Sequence, residues 1–411
     1  MSEYLIQSET LDNIADAIRE KTGTTDMMTA SEMPEMIRSI ETGGGFPNGT
    51  EWTRSNITSG NFQYILNANG VWVACSNSDA GLYYSTDGMT WTQSNLASGK
   101  FNTILNANGV WVAGSSSASN GLYYSTDGMT WTQSNLTSGT FSKIFNANGV
   151  WVACSNSDAG LYYSTDGMTW TQSNLASGKF NRISDANGVW VVGSSSASNG
   201  LYYSTDGMTW TQSNLASGKF NTILNANGVW VAGSGSTSNG LYYSTDGMTW
   251  TQSNLTSGSV VVVRNANGIW VTEIYGSSSC IIYYSTDGMT WTKNNGIHNY
   301  HNDVKNANGV WVGVSSVLGS GGINYSTDGT TWSKSNITSN QFSGILNANG
   351  VWVAGSSSAS NGLYYSTDGM TWTQSNLTSG KFYTAANANG VWVVGSNSDA
   401  GLYYSVTWQP S

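Results

Sequence analysis

Short apolar runs recur along most of the chain, each broken by a small polar turn, and one phrase, repeated with small edits, carries them. It reads Asn-Ala-Asn-Gly-Val-Trp-Val, then a Ser/Gly loop, then Leu-Tyr-Tyr-Ser-Thr-Asp-Gly-Met-Thr-Trp-Thr, with its first copy at 67–92. The Val-Trp-Val tryptophans are Trp72, Trp111, Trp151, Trp190, Trp230, Trp270, Trp311, Trp352 and Trp392, nine copies at intervals of about 40 residues. Apolar and polar positions alternate within each copy, so the elements are strands. In the second copy Phe101 to Leu105 is a strand and Asn106-Ala107-Asn108-Gly109 turns the chain. Val110 to Val112 follows, Ser115 to Asn120 is a loop, and Leu122 to Ser125 is the third strand. Asp127-Gly128 turns again, and Thr130 to Gln133 is the fourth. Asn-Gly favours a tight hairpin because both residues tolerate positive φ. Four antiparallel strands per repeat make one propeller blade.

The ends of the pattern predict how the array closes. The last repeat, Leu402-Tyr-Tyr-Ser-Val-Thr-Trp-Gln409, has no Asp-Gly turn and so lacks a fourth strand. Asn48-Gly-Thr-Glu-Trp52-Thr-Arg-Ser-Asn56 aligns with Asp127-Gly-Met-Thr-Trp131-Thr-Gln-Ser-Asn135. A strand at 50–56 can therefore complete the ninth blade and remove the open edges that invite aggregation. The expected fold class is all-β: a single propeller of nine four-stranded blades over 46–411, behind a small two-helix segment over 1–45.

That segment carries no tryptophan, and its spacing is helical. Leu11, Ile14, Ala15 and Ile18 form one apolar face, capped by Ser8 or Thr10 and ended by Gly23. Thr29 with Glu32 reads as a capping box for a second helix with Met33, Met36, Ile37 and Ile40 on its apolar face. Two short helices bury little alone, so docking on a larger body is expected. Gly43-Gly44-Gly45 makes a joint.

Composition narrows the function. Of 411 residues only 9% are charged while 12% are aromatic, and the formal charge is −10. That balance argues against nucleic acid, which needs clustered Lys and Arg. No run approaches the roughly 20 apolar residues of a membrane span, and the N-terminus shows no signal-peptide pattern. Cys75, Cys154 and Cys280 fall in non-adjacent repeats, too far apart to bridge, and read as buried free thiols made in a reducing cytoplasm. No cofactor is expected.

Two stretches carry resemblances. Glu9-Thr-Leu-Asp-Asn-Ile-Ala-Asp-Ala-Ile-Arg-Glu-Lys-Thr-Gly-Thr-Thr-Asp26 with Met33-Pro-Glu-Met-Ile-Arg-Ser-Ile40 resembles the N-terminal module of tail and minor structural proteins of phages and prophages. The resemblance implies attachment to virion or tail proteins through residues 1–45. The Ser-Thr-Asp-Gly-Met-Thr-Trp phrase resembles the Asp-box of sialidase-type (BNR) propellers, with one residue fewer between Asp and Gly. It recurs at Asp87, Asp127, Asp166, Asp206, Asp246, Asp287, Asp328 and Asp368. That resemblance implies a structural role, the Asp accepting N–H bonds of the turn and the Trp packing inward. One carboxylate per turn is too few for calcium, so no metal is expected.

Sialidases carry an arginine cluster, a tyrosine nucleophile with a glutamate, and an acid Asp. Here Arg54, Arg182 and Arg264 fall in blades nine, four and six and are not expected to converge. No paired carboxylates and no Ser-His-Asp arrangement are legible, so no catalytic residue is assigned and the chain reads as non-enzymatic. The tight turns fall on one face of the ring; the longer, variable loops Cys75 to Ala80, Ser115 to Asn120, Glu273 to Cys280 and Val314 to Gly319 fall on the other, which is the expected binding face. Repeats six and seven depart most. Glu273, Tyr275, His298, Tyr300, His301 and Asp303 there read either as one asymmetric ligand site or as a drifted repeat with solvated loops. At the position of Thr103 other repeats carry Tyr64, Lys143, Arg182 and Thr222, which suggests exposure near the central tunnel.

The leading expectation is a phage tail-associated adhesin, located in the virion and presenting repeated loops to a host-surface glycan or protein. A decoration protein without receptor and a bacterial surface module are the alternatives. Oligomeric state, including a trimer, stays open.

Overall fold

The structure is a computed structural model that describes residues 49–406 apart from 79, 158, 276–279, 295–300, 318–321 and 398–400. The helices expected over 1–45 lie outside the described residues. Nine four-stranded antiparallel sheets succeed one another, each built in the order a-b-c-d from the tunnel outward. The inner strand of the first blade, Phe62–Ala68, packs against that of the second, Phe101–Ala107, and also against that of the ninth, Phe382–Ala388. The array is therefore a closed ring.

Closure uses the N-terminal strand. Thr53–Arg54 pairs antiparallel with Leu402–Val406, Thr53 opposite Tyr404 and Arg54 opposite Tyr403. Trp52 is buried edge-on against Trp392, with centroids 6.4 Å apart. The Arg54 guanidinium lies over the Tyr403 ring at 5.9 Å.

Blade two shows why the repeat folds as it does. Strands a and b are Phe101–Ala107 and Val110–Ser115, joined by Asn108 at φ 51° and Gly109 at φ 79°. Two consecutive positive φ values define the hairpin turn that matches strand twist. A Cβ on Gly109 would meet nothing within 4 Å, so the glycine serves conformation rather than space. Strand a runs two residues past the sequence expectation because Asn106 and Ala107 stay in the ladder, opposite Trp111 and Val110. Strand b also runs further, to Ser115. Residues expected in loops, among them Cys75, Glu273 and Val314, are instead in strand b and buried. Strand d shortens to Thr132–Gln133. Its upstream N–H groups are taken elsewhere: Asp127 Oδ1 accepts from Met129 at 2.7 Å and Thr130 at 2.8 Å, and the Ser125 hydroxyl donates to the same oxygen at 2.8 Å. Gly128 sits against the neighbouring blade, where a Cβ would come within 3.1 Å of Val71 Cγ1 and Trp111 Nε1.

The core lies between blades, not within them. Val73, Cys75 and Leu82 of blade one bury against Phe101, Ile104, Trp111 and Trp131 of blade two. Equivalent clusters fill the remaining interfaces, including nine to one, where Val393 and Leu402 meet Phe62, Trp72 and Trp91. In seven blades the buried Phe of strand a stands edge-on to the first Tyr of strand c, as in Phe101–Tyr123 at 5.7 Å. Cys75, Cys154 and Cys280 are free and buried, and burial pushes the Cys154 thiol up to about 12.

Among the described residues an amide clamp links the outer strand to the next blade at eight of the nine joints. Asn95 Oδ1 accepts the Trp131 N–H and its Nδ2 donates to the Trp131 carbonyl, both at 2.8 Å. The same clamp joins Asn376 to Trp52 across the chain ends, at 2.9 Å in both directions. The seam between the termini is thus built like the interior joints.

The turn carboxylates bear on acid stability. Partial desolvation raises the Asp127 carboxyl, but the Thr130 and Met129 N–H groups and the Ser125 hydroxyl outweigh it, leaving a net shift downward. The other seven behave alike, Asp328 being held at about 2. A folded pKa below the unfolded value of about 3.9 stabilises above that value, and the stabilisation is lost as pH falls through the folded pKa. The melting temperature should therefore drop between about pH 4 and pH 2. Asp127→Asn keeps an acceptor but no charge; its melting deficit at pH 7 should shrink as the pH falls to 2. A deficit constant with pH would refute the linkage.

Candidate binding surface

The a–b and c–d turns occupy one face, and the b–c loops and blade-to-blade connections occupy the other. On the second face the loops are tied down. Ser115 Oγ accepts the Ser117 N–H at 2.9 Å, and the Gln133 side-chain amide, on strand d, donates to the Asn120 carbonyl at 3.0 Å and the Thr137 carbonyl at 3.4 Å. Gln93, Gln172, Gln212, Gln252 and Gln374 make equivalent ties. What reaches solvent there is small side chains such as Ala118 and Ser119, with Lys100, Lys179 and Lys219 on the connections between blades. The loops come in few versions: Ser-Asn-Ser-Asp-Ala in blades one, three and nine, and Ser-Ser-Ser-Ala-Ser-Asn in blades two, four and eight.

Blades six and seven differ in their interior as well as at their rim. Glu273 occupies the strand-b slot that holds Cys75 or Gly114 in other blades; His301 occupies the slot of Phe101, and Asn324 that of Tyr123. Glu273 and His301 are both 0% exposed. Glu273 Oε1 pairs with His301 Nδ1, and Oε2 accepts the His301 backbone N–H at 2.9 Å. Asn324 Nδ2 donates to His301 Nε2 at 2.6 Å, so with the amide so oriented the ring proton sits on Nδ1. Cys280 Sγ donates to Glu273 Oε2 at 3.6 Å, and the imidazole stacks on Trp332 at 5.7 Å. Gly313 stands where blade two has Ala113, and a Cβ there would come within 2.9 Å of His301 Cδ2. The departures form one coupled set: a polar network in place of an apolar one at the joint between blades six and seven.

The six residues singled out from the sequence therefore separate. Glu273 and His301 come together, but inside the joint and closed to solvent. Asp303 lies on the inner strand, 3.3 Å from Arg264. Tyr275 is on the rim and 46% exposed. His298 and Tyr300 lie outside the described residues.

The tunnel holds two cations that the sequence reading placed there and two that it missed, Arg264 and Lys305. Lys143 and Arg182 occupy the Thr103 slot of adjacent blades, and Arg264 and Lys305 occupy the Leu105 slot of blades six and seven. Exposure at the Thr103 slot is mixed: Tyr64 and Arg182 are exposed, while Thr103 and Thr222 are buried. Burial, and behind it the Arg182 charge, pulls the Lys143 ammonium down. Burial also pulls Arg182 down; Tyr64 opposes this and Arg264 adds to it. Arg182 and Arg264 lie on the inner strands of blades four and six, while Arg54 is on the outer strand of blade nine. Lys143 and Arg182 were legible by aligning the repeats, whereas Arg264 and Lys305, in the Leu105 slot, were not singled out.

Among the described residues no group of three or more His, Cys, Asp or Glu side chains could hold a metal ion, and no helix is long and apolar enough to cross a membrane. No protein-family model matches the chain, and no curated protein matches it in sequence. Solved structures do resemble it. The computationally designed Ika8 protein matches with TM-score 0.54 at 7% identity, over 87% of this chain and 100% of that one. Sqt1 of Saccharomyces cerevisiae matches with TM-score 0.51 at 8% identity, over 88% and 100%. BamB of Moraxella catarrhalis matches with TM-score 0.51 at 11% identity, over 86% and 99%. At such identities the likeness establishes the fold alone: this chain is a nine-bladed β-propeller.

Proposed function

We propose that the protein is a non-enzymatic adhesin of a phage tail. Residues 1–45 join it to the virion, and the loop face of the ring meets a glycan or protein of the host surface. The observation that carries this reading is the division of labour between faces. The turn face is nearly identical in all blades, while variation gathers in tied loops on the opposite face, the layout of a rigid display scaffold. Near-identical blades suit repeated weak contacts, which gain strength by multivalency. They do not suit catalysis, which requires different groups at fixed places. The phage assignment rests on the resemblance of residues 9–40.

The isolated ring, residues 46–411, should stay folded and soluble, bind intact host cells and lose that binding to purified wall polysaccharide or to one class on a glycan array. It should no longer join phage particles. A folded ring that binds no cell or glycan would replace this reading with that of a decoration protein, and failure of residues 46–411 to fold would contradict the modular division.

A further inference from the structure

Apart from the loop face, the inner wall between blades eight and nine contains a recess. At most joints two side chains fill this space: the residue in the Thr103 slot of one blade, and the isoleucine equivalent to Ile104 in the next. Here both are cut back. Gly344 takes the first position and Ala385 the second. A Cβ on Gly344 would meet nothing nearer than Tyr383 O at 3.6 Å and Asp303 Oδ2 at 4.0 Å, and its φ is not positive, so neither strain nor crowding explains the glycine. The result is a cavity of about 170 Å³. An apolar cavity of about 150 Å³ holds a benzene-sized ring, so the space is of the right order, although this recess opens on the tunnel.

The walls are apolar: Leu346, Val353, Leu363, Phe382 and Val394. The mouth is not. Asp303 and Lys305 from blade seven line it together with Tyr383 and Thr384. The two charges are not equivalent. Asp303 is already engaged, by Arg264 at 3.3 Å and by the Ile345 N–H at 3.4 Å. Lys305 is exposed and makes no hydrogen bond or ion pair among the described residues. The uncommitted charge at the mouth is therefore positive, and Tyr383, 44% exposed, gives an aromatic edge beside it. The other tunnel cations, Lys143 and Arg182, add to the field an anion would meet on entry.

We propose that this recess is a small-molecule site for an aryl or similarly compact apolar body bearing a carboxylate, the body seated on Phe382 and Val394 and the carboxylate at Lys305. The site is separate from the loop face, so it stands or falls independently of adhesion.

Calorimetric titration of the full chain with phenylacetate, phenylacetamide and phenethylamine tests it. Phenylacetate should bind, with phenylacetamide weaker and phenethylamine weakest. Ala385→Ile, which restores the residue of most other blades, should weaken phenylacetate by about tenfold or more. Gly344→Val fills the same space from the opposite wall and should do likewise, so one poorly folding variant does not decide the matter. Lys305→Gln should weaken phenylacetate and leave phenylacetamide unchanged. No phenylacetate binding in the millimolar range, equal binding of the amine, or indifference to both filling substitutions would overturn the proposal. Cell binding by the ring should be unaffected by Ala385→Ile.

Discussion

A chain lacking residues 1–56 should no longer form a monomeric ring. The deletion takes away Trp52, which is buried against Trp392, and the two-residue ladder of Thr53–Arg54 on Leu402–Val406. Asn376 then loses both bonds of its clamp. The third strand of blade nine becomes an open edge of the kind that recruits other chains. Size-exclusion chromatography should show aggregates or higher oligomers where the 46–411 chain elutes as one species. Milder changes grade the effect. Trp52→Ala should cost about 3–5 kcal/mol, as large buried aromatics do. Asn376→Ala should cost about 1–3 kcal/mol, because it leaves the Trp52 N–H and carbonyl unsatisfied. An unchanged monomer after the deletion would show that the termini do not close the ring.

The second large effect lies at the joint of blades six and seven. Glu273→Ala removes three interactions at once and leaves the His301 N–H groups buried without an acceptor. Breaking such a network on one side costs about 3–5 kcal/mol. Replacing the whole set should not. Glu273→Cys, His301→Phe, Asn324→Tyr and Gly313→Ala together install the residues that pack the joint of blades one and two, where Cys75, Phe101 and Ala113 are fully or almost fully buried. Exchange of a complete buried polar set for well-packed apolar groups is often neutral or stabilising by about 1–4 kcal/mol. Denaturant unfolding should thus find the single variant crippled and the quadruple variant at or above the parent. A quadruple variant weaker than Glu273→Ala would mean that the joint is not equivalent to its neighbours.

The ring was readable from the chain because its determinants are local and repeated. Asn108-Gly109 fixes a hairpin by backbone conformation, and the missing turn after Ser405 with the matching stretch at Trp52 reveals a shared blade. Interior chemistry was harder to read for a definite reason. Glu273 is polar and stands past Val-Trp-Val, so by pattern it belonged to a loop, yet strand b continues through it. His301 and Asn324 occupy slots that elsewhere hold Phe and Tyr, and their meaning appears only when three strands from two blades are brought side by side. The recess is subtler still. Gly344 and Ala385 are each unremarked small residues about 40 positions apart, and only as facing partners do they leave a hollow.

The clamp across the seam also sets an order of events during synthesis. Asn376 and Trp52 are 324 residues apart in the chain. At translation rates of about 5–20 residues per second, the first partner waits on the order of 20 to 60 seconds for the second to leave the ribosome. The eight self-contained blades can assemble one after another in the meantime, each on its predecessor. The final one cannot be finished until Leu402–Val406 has emerged, so the nascent ring passes through an unlatched crescent whose two raw edges need shielding from neighbouring copies.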